Sequence, residues 1–235
     1  MEARQTKAIL NHVDRRRASR NKRLLLPHMP IQFDQQESLQ RQDVEQFIAE
    51  RFDYHYQAKI SHFLPCLLST KTGDKFTAAM GFQPANDASL FLEQYLSTSI
   101  ESEIERITGQ IVNRNTIAEV GNLTSAHRGT SQLLFVLTTA ILHEAGFKWS
   151  VFTATKHVQQ LLRRLDLITI TVCEADPALL QDNIQSWGSY YNDKPNVIIG
   201  NLTDAIVLLK QHPVTGFILQ NYQQMIMNIA SKIKR

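Results

Sequence analysis

Cysteine is scarce: Cys66 and Cys173 are the only two in 235 residues. They lie far apart, with no CxxC and no regular spacing, which argues against a disulfide framework or a zinc site and predicts two buried thiols in a reducing compartment. Long apolar runs are also missing. The most apolar stretch, Leu133 to Leu142, is interrupted by threonines and falls short of the roughly 18 residues a membrane span needs. The first 23 residues have neither the apolar core nor the small-residue cleavage site of a signal peptide, so the expected location is the cytoplasm. No second histidine stands at metal-ligand spacing, so no bound metal is expected. The absence of a GxSxG elbow and of a Walker loop disfavours serine hydrolases and P-loop nucleotidases.

What is present fits one ordinary folded domain, with 43% hydrophobic and 20% charged residues. The net charge of +3 is uneven: residues 1–23 carry eight Lys/Arg against two Asp/Glu, leaving the other 212 residues at about −3 by subtraction. A basic arm of this kind suits contact with an anionic membrane or an acidic carrier protein, or is simply solvated; nothing points to a specific nucleic acid. The expected organisation is a basic segment over 1–30, an α/β domain over 31–203 and a helical extension over 204–235.

Val44, Phe47, Ile48 and Phe52 fall at helical spacing and predict the first core helix from Asp43. His62–Thr70 and Phe76–Phe82 flank turn-forming residues and predict a β-hairpin, with Pro65 marking an edge or a bulge. Leu90 to Ile107 reads as two short helices or one bent one. Next come a strand at Thr116–Leu123, a helix at Gln132–Ala145 closed by Gly146, a strand at Phe147–Ala154 and a helix from Lys156. That order is a βαβα unit with its first two strands parallel. Ile168–Cys173 and Asn196–Ile199 supply two more strands, and one or two amphipathic helices follow Thr203.

The chemistry concentrates in the loop from Ser125 to Ser131, because a helix N-terminus after a strand offers unpaired N–H groups and a positive dipole end to an anion. Arg128 supplies charge, Gly129 permits close backbone approach, and Thr130 and Ser131 either bond a phosphate oxygen or cap the helix. His127 is placed to donate to a phosphate or is merely solvated. Glu119 stands alone in an apolar strand, where burial raises a carboxyl pKa and suits it to act as a base; the alternative is a strand-end carboxylate paired with an arginine. The aromatic group Trp187, Tyr190 and Tyr191 walls a pocket or covers the core.

The Arg128-Gly129-Thr130-Ser131 loop, the strand Lys148–Thr155 and the helix Gln160–Leu167 resemble the acyl-CoA-binding core of GNAT-type N-acyltransferases. Ala79–Pro84 with Glu119–Leu123 is similar to the homoserine-lactone autoinducer synthases. Leu90–Leu96, Glu119–Leu123, Val151–Thr155, and Trp187–Tyr191 followed by Pro195 and Gly200 resemble the thermostable hemolysin family over most of the chain after residue 30.

This resemblance implies a GNAT-like α/β fold, a mixed central sheet flanked by helices, and an acyl group passed from acyl-CoA or acyl carrier protein to a small amine or hydroxyl acceptor. It places the donor on Asn122, Leu123, Arg128, Gly129, Thr130 and Ser131, with Glu119 as base and Glu93 approaching the acceptor side. Asn122 would bond the thioester's pantetheine amide or the acceptor, or is simply a polar strand end, and Glu93 is otherwise an exposed helix glutamate. Two departures stand out. Ser131 replaces the second loop glycine, and Leu161 or Leu162 occupies the position where many acetyltransferases carry a tyrosine acid. The alternatives are a non-catalytic thioester-binding module, or a membrane-active hemolysin using the basic head and the segment Gly216–Arg235.

Overall fold

A computed structural model of the chain describes residues 29–86, 88–127, 129–180 and 184–233. Most of the basic segment, and Arg128, lie outside the described residues. Residues Ile31–Arg235 form one compact unit.

Its centre is a seven-stranded sheet. The strands are β1 (Ile31–Asp34), β2 (Cys66–Thr72), β3 (Lys75–Pro84), β4 (Ile117–Ser125), β5 (Trp149–Ala154), β6 (Ile170–Glu174) and β7 (Asn196–Asn201). Their order is β1-β2-β3-β4-β5-β7-β6. All neighbours are antiparallel except β4 and β5, the parallel pair that the βαβ pattern predicts. The β2–β3 hairpin is also present, turning at Gly73, whose φ of +58° suits a residue without Cβ. Its first strand starts at Cys66, later than the sequence suggests, and Pro65 does not mark an edge, because β1 pairs outside β2. β1 is too short to show a periodicity of its own.

Helix α1 (Arg41–Tyr56) and helix α3 (Thr130–Glu144) cover opposite faces. Strand side chains alternate: Ala79 packs with Val44, Ile48 and Phe52 of α1, whereas Met80 meets the Thr138 hydroxyl of α3 at 3.1 Å. Nearly every residue of α3 from Leu133 to Leu142 is buried, since the sheet holds one side and the C-terminal helices the other. A helix enclosed in this way needs no polar stripe. Between β3 and β4, the chain makes a 3₁₀ turn (Phe91–Tyr95) and helix α2 (Ile100–Thr108), the two short helices the pattern allowed. Helix α4 (Lys156–Arg164) follows β5, with the Thr155 side chain accepting from the Val158 N–H.

Three helices end the chain where one or two were expected: α5 (Leu202–Gln211), α6 (Pro213–Asn221) and α7 (Gln223–Ala230). Pro213 explains the extra break, because it ends α5 and opens α6 at N1. Ile218, Leu219, Ile226 and Ile229 are buried, and α6 and α7 pack on α3. Much of the apolar side of residues 216–233 is therefore already occupied by the domain, while Phe217 and Met227 stay exposed. Among the described residues, no helix is long and apolar enough to cross a membrane. Cys66 is buried as expected, but Cys173 is only half-buried, on a strand at the sheet's edge, and neither forms a disulfide.

Candidate active site

Strands β4 and β5 pair only over three residues, ending at Glu119 opposite Val151. Beyond this point β4 continues with β3 alone and β5 with β7 alone. A wedge opens between them, and Glu119 stands at its apex.

The β4 wall of the wedge is bent by a bulge. Ala79 pairs with Thr124 and Gly81 with Gly121, so Asn122 and Leu123 together face the single residue Met80. Asn122 takes a left-handed φ of +50°, a conformation asparagine tolerates better than most residues. Its side chain accepts from the Leu64 N–H at 2.8 Å and donates to the His62 carbonyl at 3.3 Å. Segment 62–64 is thereby tied across the sheet. Gly81 and Gly121 make room for it, since a Cβ on Gly81 would lie 2.9 Å from the Asn122 Oδ1 and one on Gly121 would lie 3.0 Å from Leu64. On the other side, Arg41 donates to the carbonyls of Leu64 and Pro65 at 2.9 and 2.7 Å.

The wedge holds a cavity of about 120 Å³, room for several waters or a short run of methylenes. Its apolar floor includes Leu64, Met80, Val120, Phe135 and Phe152, and the bulge residues Asn122 and Leu123 line it too. Its other wall is aromatic and contains Trp187, Tyr190 and Tyr191, which line the cavity and at the same time pack against the core.

Glu119 is 4% exposed and lines the cavity. Among the described residues its partners are two backbone N–H groups and not an arginine: Oε2 accepts from the Phe91 N–H at 2.7 Å and Oε1 from the Leu92 N–H at 3.0 Å. Burial raises its pKa to about 7 despite those two donors, with Glu93 adding a repulsive push. A carboxyl balanced between its two protonation states at neutral pH is suited to proton transfer.

Glu93 is neither exposed nor among the described residues lining the cavity. It forms a bidentate pair with Arg114 at 2.6 and 2.7 Å and accepts from the N–H groups of Leu90 and Ile100. Burial opposes its ionisation, but the Arg114 guanidinium and those N–H groups outweigh it and hold the carboxyl below its usual range. Arg114 also reaches Glu101 at 2.8 Å and the Ala85 carbonyl at 2.9 Å. This network fixes the turn whose N–H groups hold Glu119.

Gly129, at φ +95°, precedes α3. The Thr130 hydroxyl donates to the carbonyls of His127 and Thr77, so its side chain locks the loop to β3. Ser131 is half-buried on the first turn of α3. Leu161 and Leu162 are buried in the core.

Three features of the site had no sequence signal. The Tyr95 and Tyr191 hydroxyls hydrogen-bond each other in the cavity wall. Tyr56, at the end of α1, lines the same wall. The Thr153 Oγ1, on the β5 side of the wedge, is buried with no hydrogen-bond partner among the described residues. Among the described residues, no group of three or more His, Cys, Asp or Glu is placed to hold a metal.

The sequence profile of the thermostable hemolysin family matches residues 34–206. No curated protein sequence matches the chain closely enough to count as a relative. Among solved structures, the fold is similar to FeeM, an N-acyl amino acid synthase from uncultured soil microbes, at 10% identity, covering 81% of this chain and 98% of that one with a TM-score of 0.54. It is similar to the AHL synthase LasI at 10% identity, covering 74% and 90% with a TM-score of 0.51. TofI in an apo form gives 9% identity, 80% and 99% coverage, and a TM-score of 0.50. At such identities the likeness shows the fold, a mixed sheet flanked by helices as in the AHL synthases, and the chemistry has to be argued from the residues of this chain.

Proposed function

Since the chain belongs to the thermostable hemolysin family and shares its fold with an AHL synthase and an N-acyl amino acid synthase, we propose that it is an acyltransferase moving an acyl group from acyl-CoA or acyl carrier protein to a small amine or hydroxyl acceptor. The observation that carries this reading is the placement of a buried, neutral-range carboxyl, Glu119, at the apex of an apolar wedge between two diverging parallel strands. In this reading the thioester lies along the β4 bulge at Asn122 and Leu123, and the acyl chain enters the apolar floor. The donor's phosphates or the carrier's acidic face meet the loop Arg128, Gly129, Thr130 and Ser131 at the start of α3, where the helix dipole favours negative charge.

The acceptor's nucleophilic atom gives its proton to Glu119 and attacks the thioester carbonyl. Backbone N–H groups of the bulge stabilise the oxyanion, the carbon–sulfur bond breaks, and the thiol leaves. Glu93 acts at one remove, by holding the turn that positions Glu119. The location proposed is the cytoplasm, where such donors are made.

A thiol-release assay tests this reading. Purified protein with acetyl-, octanoyl- or palmitoyl-CoA and a panel of amines and alcohols is expected to liberate free thiol in an acceptor-dependent way. If acyl-CoA binds but no donor, including acyl carrier protein loaded with the same chains, yields acceptor-dependent thiol, the non-catalytic binding module replaces the transferase.

A further inference from the structure

The cavity is unusual in what its polar lining omits. Among the described residues no lysine or arginine lines it, its one acidic side chain is Glu119, and its one basic side chain is His62, stacked on Phe91 at 5.9 Å. A second carboxylate, Asp193, acts electrostatically on Tyr56 and Tyr190 from outside. Facing these groups is a continuous wall of rings. Phe91 lies 5.5 Å from Trp187 and 6.2 Å from Tyr95. Trp187 lies 5.3 Å from Tyr190 and 5.8 Å from Tyr191. Tyr190 continues to Tyr56 at 5.2 Å.

Tyr56, Phe91, Trp187, Tyr190 and Tyr191 are only half-buried, so the wall keeps ring surface for a ligand. Aromatic rings carry negative potential on their faces, and several around one carboxylate attract an organic cation while offering an anion no fixed cation to pair with. The hydroxyls add to the same bias. Burial pushes the Tyr191 phenol up to about 12, and it raises those of Tyr95 and Tyr190 as well, so these groups stay neutral. The Tyr95–Tyr191 pair uses one of its two protons internally and keeps the other for a ligand's acceptor atom.

We infer that the acceptor is a cationic amine on an apolar body with no carboxylate or phosphate of its own, held by the aromatic wall with its nitrogen towards Glu119. A free amino acid is selected against, because its carboxylate would enter beside Glu119 a cavity whose described lining holds no Lys or Arg, and burying a charge without a full counter-charge is costly. Bond formation follows the transfer described above. The ammonium gives one proton to Glu119 or solvent to become nucleophilic, the amine nitrogen forms the amide bond and loses a second proton, and the donor thiol leaves. The inference rests on the transferase reading for the reaction, but cation selection is measurable without turnover.

Three probes of one shape separate the charges: phenethylamine, phenylalanine and 3-phenylpropionate. Each is titrated calorimetrically into the full chain at pH 7.5 with saturating free CoA. Phenethylamine is expected to bind at least about tenfold more tightly than either of the others. Trp187→Leu and Tyr190→Leu are expected to remove that preference while leaving CoA binding unchanged. Equal or tighter binding of phenylalanine or 3-phenylpropionate overturns the inference, and so does failure of phenethylamine to bind. A protein that binds the amine selectively but neither CoA nor acyl-CoA keeps the cation site and loses the transferase reading, so the two fail separately.

Discussion

Replacing Glu119 by alanine is expected to lower acceptor-dependent thiol release by roughly 10²–10⁴-fold, the range a general base contributes. In the unaltered protein the rate should rise with pH through about 7, where the Glu119 carboxyl ionises, and the variant's residual rate should lose that inflection. Alanine also strands the N–H groups of Phe91 and Leu92, and glutamine would turn an N–H₂ group towards one of them. The pH profile is therefore the decisive readout, since misfolding lowers the rate without moving an inflection.

The same group sets a stability signature of predictable sign. Its folded-state pKa of about 7 lies above the ordinary 4.5, so between those values the folded chain binds a proton that the unfolded chain has released. Stability then falls as pH rises across that window, by about 3 kcal/mol from this group, and stays lower above it. Glu119→Ala should flatten that part of a denaturation profile.

The second large effect belongs to Arg114. Arg114→Ala removes the cation from Glu93 and Glu101 together, leaving a half-buried carboxylate that still has to accept from Leu90 and Ile100. Breaking a buried pair costs about 3–5 kcal/mol, and the lower end applies because Arg114 keeps 28% of its side-chain exposure. A loss of about 3 kcal/mol corresponds to a fall of roughly 6–12 °C in melting temperature for a domain of this size. Arg114→Lys should recover only part of it, since an ammonium cannot make the bidentate contact. Activity should fall too, with the pH inflection shifted, because the turn that Glu93 braces supplies both donors to Glu119. An unchanged melting temperature would show that the network carries no weight.

The parts of this arrangement that were readable in the sequence are the local ones. The hairpin, the βαβα unit and the glycine before α3 are written in residues close along the chain, where periodicity and turn chemistry act. Glu119 stood out because a lone carboxylate in an apolar strand is costly without a reason. Its partners did not: the alternative expected an arginine, and the structure supplies two backbone N–H groups 27 and 28 residues away.

Glu93 shows the same limit from the other side. Its neighbours on the turn suggested either an exposed residue or one facing the acceptor, while the structure pairs it with Arg114, 21 residues on. Tyr95 meets Tyr191 across 96 residues, and Asn122 holds Leu64 across 58. No spacing rule reaches those distances. The insertion of β7 between β5 and β6 is equally invisible to local patterning, yet it leaves β5 free to diverge from β4 and open the wedge.

The most direct test of the account is calorimetric titration of the full chain with palmitoyl-CoA, octanoyl-CoA and free CoA, followed by acyl carrier protein loaded with the same acyl chains and left unloaded. The account predicts saturable binding of an acyl-thioester, tighter than free CoA or unacylated carrier because the chain enters the wedge floor, and weakened by Phe152→Asp on that floor in a variant that keeps its melting transition. Absence of acyl-thioester binding in both series, from a protein shown to be folded, would contradict it and leave the acyltransferase fold without its substrate.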